Sequence, residues 1–168
     1  MVQNHLLQLL AIVAMEPPTT ADGNAIRDEM VKVFQSLRKI KEEEVPQFVV
    51  RGQYTESQIH GETIKAYRQE DGIAPNSKTE TYMAMACYID NWRWSGVPFY
   101  IRTGKRLPTQ VTEIVIHFKA NPHRIFAQKD GLTDAGNQLI IRIQPDEGLL
   151  LKIGMKVPGA GFQVDKVG

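Results

Sequence analysis

Cysteine is nearly absent from this chain. Cys87 stands alone among 168 residues, so no internal disulfide framework holds the fold, which fits a reducing, cytoplasmic setting. Long hydrophobic runs are missing too. The longest, Leu6–Met15, is broken by Gln8 and is too short to span a bilayer. It has neither the basic flank nor the small-residue cleavage site of a signal peptide. Charge of one sign is not in excess, since the formal net charge is +1, and a chain so balanced projects no general field toward nucleic acid or a membrane surface. Repeats and low-complexity tracts do not occur, and the one dense charge cluster is the brief Lys41–Glu44 run.

Several chemical signatures are also missing. No GxGxxG follows a strand-like run, and there is no P-loop. Gly159–Gly161 in PGAGF lacks a third glycine and a following helix, so it reads as a turn. The four histidines and one cysteine have no metal-ligand spacing, and no nucleophile-elbow sequence marks a catalytic triad. On its own contents the chain does not bind a dinucleotide in the usual way.

What is present is globular: 42% hydrophobic and 23% charged residues in one ordinary domain's length. Val2–Met15 predicts a helix apolar on most of its circumference, hence interior, ending before Pro17 and Pro18. It opens on Gln3, Asn4 and His5 without a cap, as the middle of something larger would. Asn24–Ile40 predicts a second helix, with one stripe of Ile26, Met30, Val33, Leu37 and Ile40 laid on a sheet. Phe48–Tyr54 reads as a strand, and Thr55–Lys78 as a polar excursion in which His60 is a loop histidine. Thr79–Ile89 follows as a strand, although Met83–Cys87 alone also suits a helix. Trp92 and Trp94 are expected on one side of an extended segment, in core or interface. Ala120–Asn137, with His123 beside Arg124, reads as a loop, and Leu139–Ile143 and Leu149–Val157 as strands. Many short strands without regular strand–helix alternation predict an α+β fold, a mainly antiparallel β-sheet covered by helices on one face.

The densest signal runs from Tyr88 to Phe118. Val97–Arg102 and Val111–Phe118 alternate as strands, and between them lie Thr103, Gly104, Lys105, Arg106 and Pro108, which predicts a hairpin with a cationic bend. Such a bend suits an anion, Lys as a mobile point charge and Arg as a planar fork. It equally suits a tip kept basic for solvation.

That stretch, YIDNWRWSGVPFYIRTGKRLPTQVTEIVIHF, resembles the glucose-6-phosphate dehydrogenase family, in which IDNWRW-GVPF-RTGK precedes a basic turn. VQNHLLQLLAIVAMEPP, VVRGQYT, QPDEGL and KVPGAGF match further family segments in the same order, so the resemblance covers nearly all of the chain. It implies a single C-terminal substrate and dimerisation domain over residues 1–168, with the N-terminal Rossmann coenzyme domain outside them. The implied reaction is oxidation of D-glucose 6-phosphate to 6-phosphoglucono-1,5-lactone with NADP reduction, in the oxidative pentose phosphate pathway. NADP would be bound mainly by the missing domain, with no cofactor or metal residues here. The implied partners are glucose 6-phosphate and further copies of the chain, a homodimer or dimer of dimers through the sheet, with no nucleic acid and no membrane.

Residue by residue, the resemblance makes His5 of QNHLLQ the general base that takes the C1 hydroxyl proton, Lys105 a contact to the sugar phosphate, and Gln144 a border of the same site. Histidine suits the first role because imidazole ordinarily titrates near neutrality. Read from the residues alone, His5 also suits a core histidine satisfied by Asn4 or Gln8. Two departures stand out. Gln110 occupies a position that is often cationic, which weakens the phosphate grip, and Leu150 replaces the aromatic residue that accompanies a structural NADP beside positions matching Arg102, Arg142 and Lys152, so that second site is not expected. The family's phosphate motif and the aspartate that orients the base precede the matched region, so the isolated chain is expected to be inactive. The competing reading is a catalytically silent paralogue acting as a dimerisation or interaction module.

Overall fold

A computed structural model describes residues 5–120, 127–128, 136–156 and 163–167. The chain divides into two compact units, Met1–Leu107 and Pro108–Gly168.

The first unit contains helices α1 (Leu7–Ala14) and α2 (Gly23–Gln35) and an antiparallel sheet in the order β1 (Val49–Gly52), β4 (Tyr82–Tyr88), β5 (Pro98–Gly104). Between β1 and β4 lies a separate two-stranded hairpin, β2 (Ser57–Ile59) and β3 (Glu62–Ile64). The core joins Leu10, Ala11 and Ala14 of α1, Met30 and Val33 of α2, Cys87 of β4, and Ile89, with Phe99 and Ile101 of β5 packed against it. Alternation sets the sheet's faces: Phe99 and Ile101 turn toward the helices, while Tyr100 between them is 79% exposed. The helices therefore cover one face, as expected. Burial pushes the Cys87 thiol up to about 11, so the lone cysteine is an inert core residue.

Two helical expectations change. α1 is not interior all round, because Leu10, Ala11 and Ala14 are buried while Ile12 is 52% exposed. The apolar run is wider than the stripe the core needs. α2 starts where the Asp22 carboxylate accepts the Asn24 and Ala25 N–H groups at 3.0 Å. It stops at Gln35, five residues before Ile40, because Leu37 leaves the helix to bridge Ile89. Arg38 and Asp90 reinforce that exit: the Arg38 N–H donates to the Tyr88 carbonyl at 2.8 Å, and its guanidinium forks onto the Asp90 carboxylate.

The tryptophans part company. Asn91 Oδ1 accepts the N–H groups of Arg93 and Trp94 at 3.1 and 2.9 Å, curling the chain into a turn. Trp94 packs on Phe99 edge to face, whereas Trp92 is fully exposed.

The second unit is one sheet in the order β6 (Thr112–His117), β8 (Gln138–Gln144), β9 (Gly148–Lys156), β10 (Gln163–Val167), β7 (Ala127–Gln128). All its pairs are antiparallel except β10 with β7. The expected hairpin of Val97–Arg102 with Val111–Phe118 does not form: β5 pairs with β4, and β6 pairs with β8 in a different sheet. Alternation reported the strands and their faces correctly but carries no information about which strand is the neighbour. His123, Arg124 and PGAGF lie outside the described residues. No helix among the described residues is long and apolar enough to cross a membrane.

Candidate functional site

The site is built on the end of β5. Thr81, only 5% exposed, ties three segments together: its N–H donates to the Gly52 carbonyl at 2.9 Å, its hydroxyl oxygen accepts the Tyr54 N–H at 2.9 Å, and its carbonyl accepts the Lys105 N–H at 2.8 Å. The turn after β5 therefore rests on the ends of β1 and β4. Gly104 precedes it for a packing reason, since a Cβ there would lie 2.9 Å from the Tyr82 ring and 3.2 Å from the Leu107 methyls.

Within the turn the two cations differ. Arg106 takes a left-handed backbone conformation, φ 56, and its guanidinium approaches Glu70 Oε1 at 3.5 Å. Glu70 Oε1 also accepts the Tyr54 hydroxyl at 2.7 Å. The Tyr54 hydrogen bond holds the Glu70 carboxyl below its usual range, against some desolvation and with help from the charge of Arg106 and then of Lys105. The same hydrogen bond, with burial, raises the Tyr54 hydroxyl. Tyr67 stacks edge to face on Tyr54 at 5.7 Å and donates its N–H to the Tyr54 carbonyl at 3.1 Å, which brings Glu70 into place behind it. Lys105 is exposed and makes no ion pair with any described residue. One cation is committed to the fold and one is offered to solvent. Beside them, Thr63, Ile64, Lys65 and Asp71, with Glu70 and Arg106, line an open depression of about 380 Å³.

His5 lies elsewhere in this unit, exposed, in the wide turn that opens into α1. No side-chain hydrogen bond or ion pair to a described residue holds its ring. The far end of α1 is fixed instead: Trp94 Nε1 donates to the Ala14 carbonyl at 2.9 Å, and Arg93 pairs with Glu16 at 2.6 Å. Much of the IDNWRW segment is thus architectural, fastening α1 beside the start of β5. Gln144 ends β8 in the second unit, exposed, with Thr112 as its strand partner. Gln110 is exposed as well. No hydrogen bond or ion pair joins His5 to Lys105, and Gln144 belongs to the other unit. Among the described residues no group of three or more His, Cys, Asp or Glu side chains is arranged to hold a metal ion.

Sequence reasoning missed Tyr54, Glu70 and Thr81. VVRGQYT was visible as a segment, and its Tyr54 is what ties the basic turn down. Glu70 had no local signal, because its partners are 16 and 36 residues away.

Residues 1–168 match the family described as glucose-6-phosphate dehydrogenase, C-terminal domain. The chain is 56% identical over 167 residues to the glucose-6-phosphate 1-dehydrogenase of Aggregatibacter actinomycetemcomitans, covering 99% of this chain and 33% of that protein. A crystal structure of glucose-6-phosphate 1-dehydrogenase from Mycobacterium avium superposes with TM-score 0.78 at 38% identity, covering 99% of this chain and 33% of the other. A structure of glucose-6-phosphate dehydrogenase in complex with its substrate glucose-6-phosphate gives TM-score 0.80 at 34% identity, covering 99% and 32%. The chain spans about a third of the length of these relatives. Matched along its whole length in sequence and over nearly all of it in fold, the chain belongs to the glucose-6-phosphate dehydrogenase family as its C-terminal domain.

Proposed function

We propose that these residues are the substrate and dimerisation domain of a cytoplasmic enzyme that oxidises D-glucose 6-phosphate to 6-phosphoglucono-1,5-lactone with reduction of NADP, in the oxidative pentose phosphate pathway. The observation that carries this reading is the turn after β5, where Arg106 is paired with Glu70 and Lys105 alone is offered to an anion. An ammonium on a mobile stem beside a fixed sheet end suits a sugar phosphate. A solved relative with the same fold is described as a complex with glucose 6-phosphate.

In this reading Lys105 holds the phosphate, Gln144 borders the site with its amide, and His5 takes the proton from the C1 hydroxyl as the carbon is oxidised. NADP accepts the hydride. The residues here do not fit a dinucleotide: the described strands are antiparallel apart from β10 with β7, and no glycine-rich strand-to-helix turn lies in the sequence. The coenzyme is therefore assigned to a Rossmann domain outside these residues, and the isolated chain is inactive.

Homodimerisation, or a dimer of dimers, has its support in the second sheet. Register puts Ile114, Ile116, Leu139, Ile141, Leu149 and Leu151 on one face, where Leu149 is 75% and Leu151 53% exposed. So apolar a face suits burial against a second copy.

Titration of the chain with glucose 6-phosphate, followed by NMR at the His5 ring and the Lys105 ammonium with D-glucose as the uncharged control, tests the reading. Saturable, phosphate-dependent shifts at both residues are expected; shifts at neither would overturn the assignment.

A further inference from the structure

We infer that Tyr54, Glu70 and Arg106 form a positioning network that sets where Lys105 points, and that Arg106 is a clamp on the turn, not a second phosphate ligand. This deepens the proposed function and rests on the reading of Lys105 as the phosphate contact.

The turn needs a clamp. Arg106 sits at φ 56, a conformation disfavoured for a residue with a Cβ, in a turn whose tip is exposed. Backbone hydrogen bonding reaches the Lys105 N–H, which Thr81 accepts, so the next residue depends on its side chain. Its guanidinium is drawn to Glu70, and Glu70 is held by the Tyr54 hydroxyl on the same oxygen, at 2.7 Å. Tyr54 is anchored in turn, its N–H on the Thr81 hydroxyl and its ring against Tyr67. The chain of contacts thus leaves Thr81 by the backbone to Lys105 and returns to Thr81 through Arg106, Glu70 and Tyr54. Lys105 is the one member of this loop whose side chain makes no hydrogen bond or ion pair with a described residue. Glu70 lies close enough to Lys105 to feel its charge, yet is already supplied by Arg106 and Tyr54. With the carboxylate satisfied, the ammonium stays available to a phosphate.

The test is a double-mutant cycle in the complete dehydrogenase that carries these residues, with glucose 6-phosphate as substrate. Tyr54→Phe removes the hydroxyl that fixes Glu70 and keeps the ring. It is expected to raise KM for glucose 6-phosphate about three- to tenfold with kcat nearly unchanged, the worth of roughly one ordinary hydrogen bond felt through Lys105. In a Lys105→Ala background the same change should raise KM less than about twofold, because a residue acting through Lys105 has nothing left to act on. Equal effects in both backgrounds would make Tyr54 merely structural and overturn the inference. Glu70→Gln is the second arm, keeping an acceptor for Tyr54 while dropping the charge that holds Arg106. A raised KM supports the clamp; a lowered KM would show a released Arg106 joining the phosphate and overturn its assignment. Should Lys105→Ala itself leave KM unchanged, it is the phosphate-contact reading that fails, a different result from additivity.

Discussion

Trp94 donates its indole N–H to the carbonyl oxygen of Ala14 at 2.9 Å, across 80 residues of chain. That carbonyl ends α1, where the helix has no further N–H to offer. One side chain thereby both fills the space beside Phe99 and satisfies a helix end. Trp94→Phe keeps most of the ring and loses the donor, and should destabilise the chain by roughly 1–3 kcal/mol. Urea unfolding at neutral pH measures it. Trp92→Phe, at a fully exposed position, is the control and should change little.

Arg38 and Asp90 make the corresponding fastening for α2, through two N–H···O bonds at 2.9 and 2.5 Å. The Arg38 hydrogen bonds hold the Asp90 carboxyl below its usual range, and Asp22 is lowered likewise, first by the Thr20 hydroxyl and then by the helix N–H groups it caps. A carboxyl lowered on folding adds stability above its unfolded value and loses it as pH falls through the folded one. Acid below about pH 4 should therefore weaken this unit. Asp90→Asn should lower the urea midpoint at pH 7 and flatten its decline between pH 5 and pH 3. Parallel curves for the two proteins would mean that the pair adds nothing.

Gly104 should resist substitution. An added Cβ meets the Tyr82 ring at 2.9 Å and the Leu107 methyls at 3.2 Å, so Gly104→Ala must displace a cross-strand neighbour immediately before Lys105. Overpacking of this kind costs roughly 1–3 kcal/mol. The expected outcome is a lowered unfolding midpoint together with weaker glucose 6-phosphate binding, read by calorimetry. Unchanged values of both would show that Tyr82 and Leu107 move aside freely.

How legible was all this in the sequence? The stripe of α2 was plain, because Ile26, Met30 and Val33 repeat with the helical period and all reach the core. Its end was not, since Leu37 obeys the same period yet its backbone bridges Ile89, a partner 52 residues away. β1, β4, β8 and β9 were each visible as apolar runs bounded by polar turns. Pairing was invisible: β5 and β6 are consecutive, and adjacency argued for a hairpin, yet β5 is the edge strand of one sheet beside β4 and β6 the edge strand of another beside β8. The β2–β3 hairpin passed unread because its turn, His60–Gly61 with φ 52 and 84, uses His where Asn is the familiar signal. At the site, Lys105 could be named from its motif. Its supports could not, because an ion pair such as Arg106 with Glu70 leaves no periodic trace.

The most direct test of the central claim is the division of labour between His5 and Lys105 in steady-state kinetics of the complete dehydrogenase. His5→Asn should lower kcat by a factor on the order of a hundred to ten thousand with a much smaller change in KM, as removal of a general base does. Lys105→Ala should do the reverse, raising KM for glucose 6-phosphate roughly ten- to a hundredfold while kcat stays within a few-fold, as loss of a charged hydrogen bond predicts. Unchanged turnover in His5→Asn would remove His5 from the chemistry, and unchanged KM in Lys105→Ala would remove the turn after β5 from the substrate site.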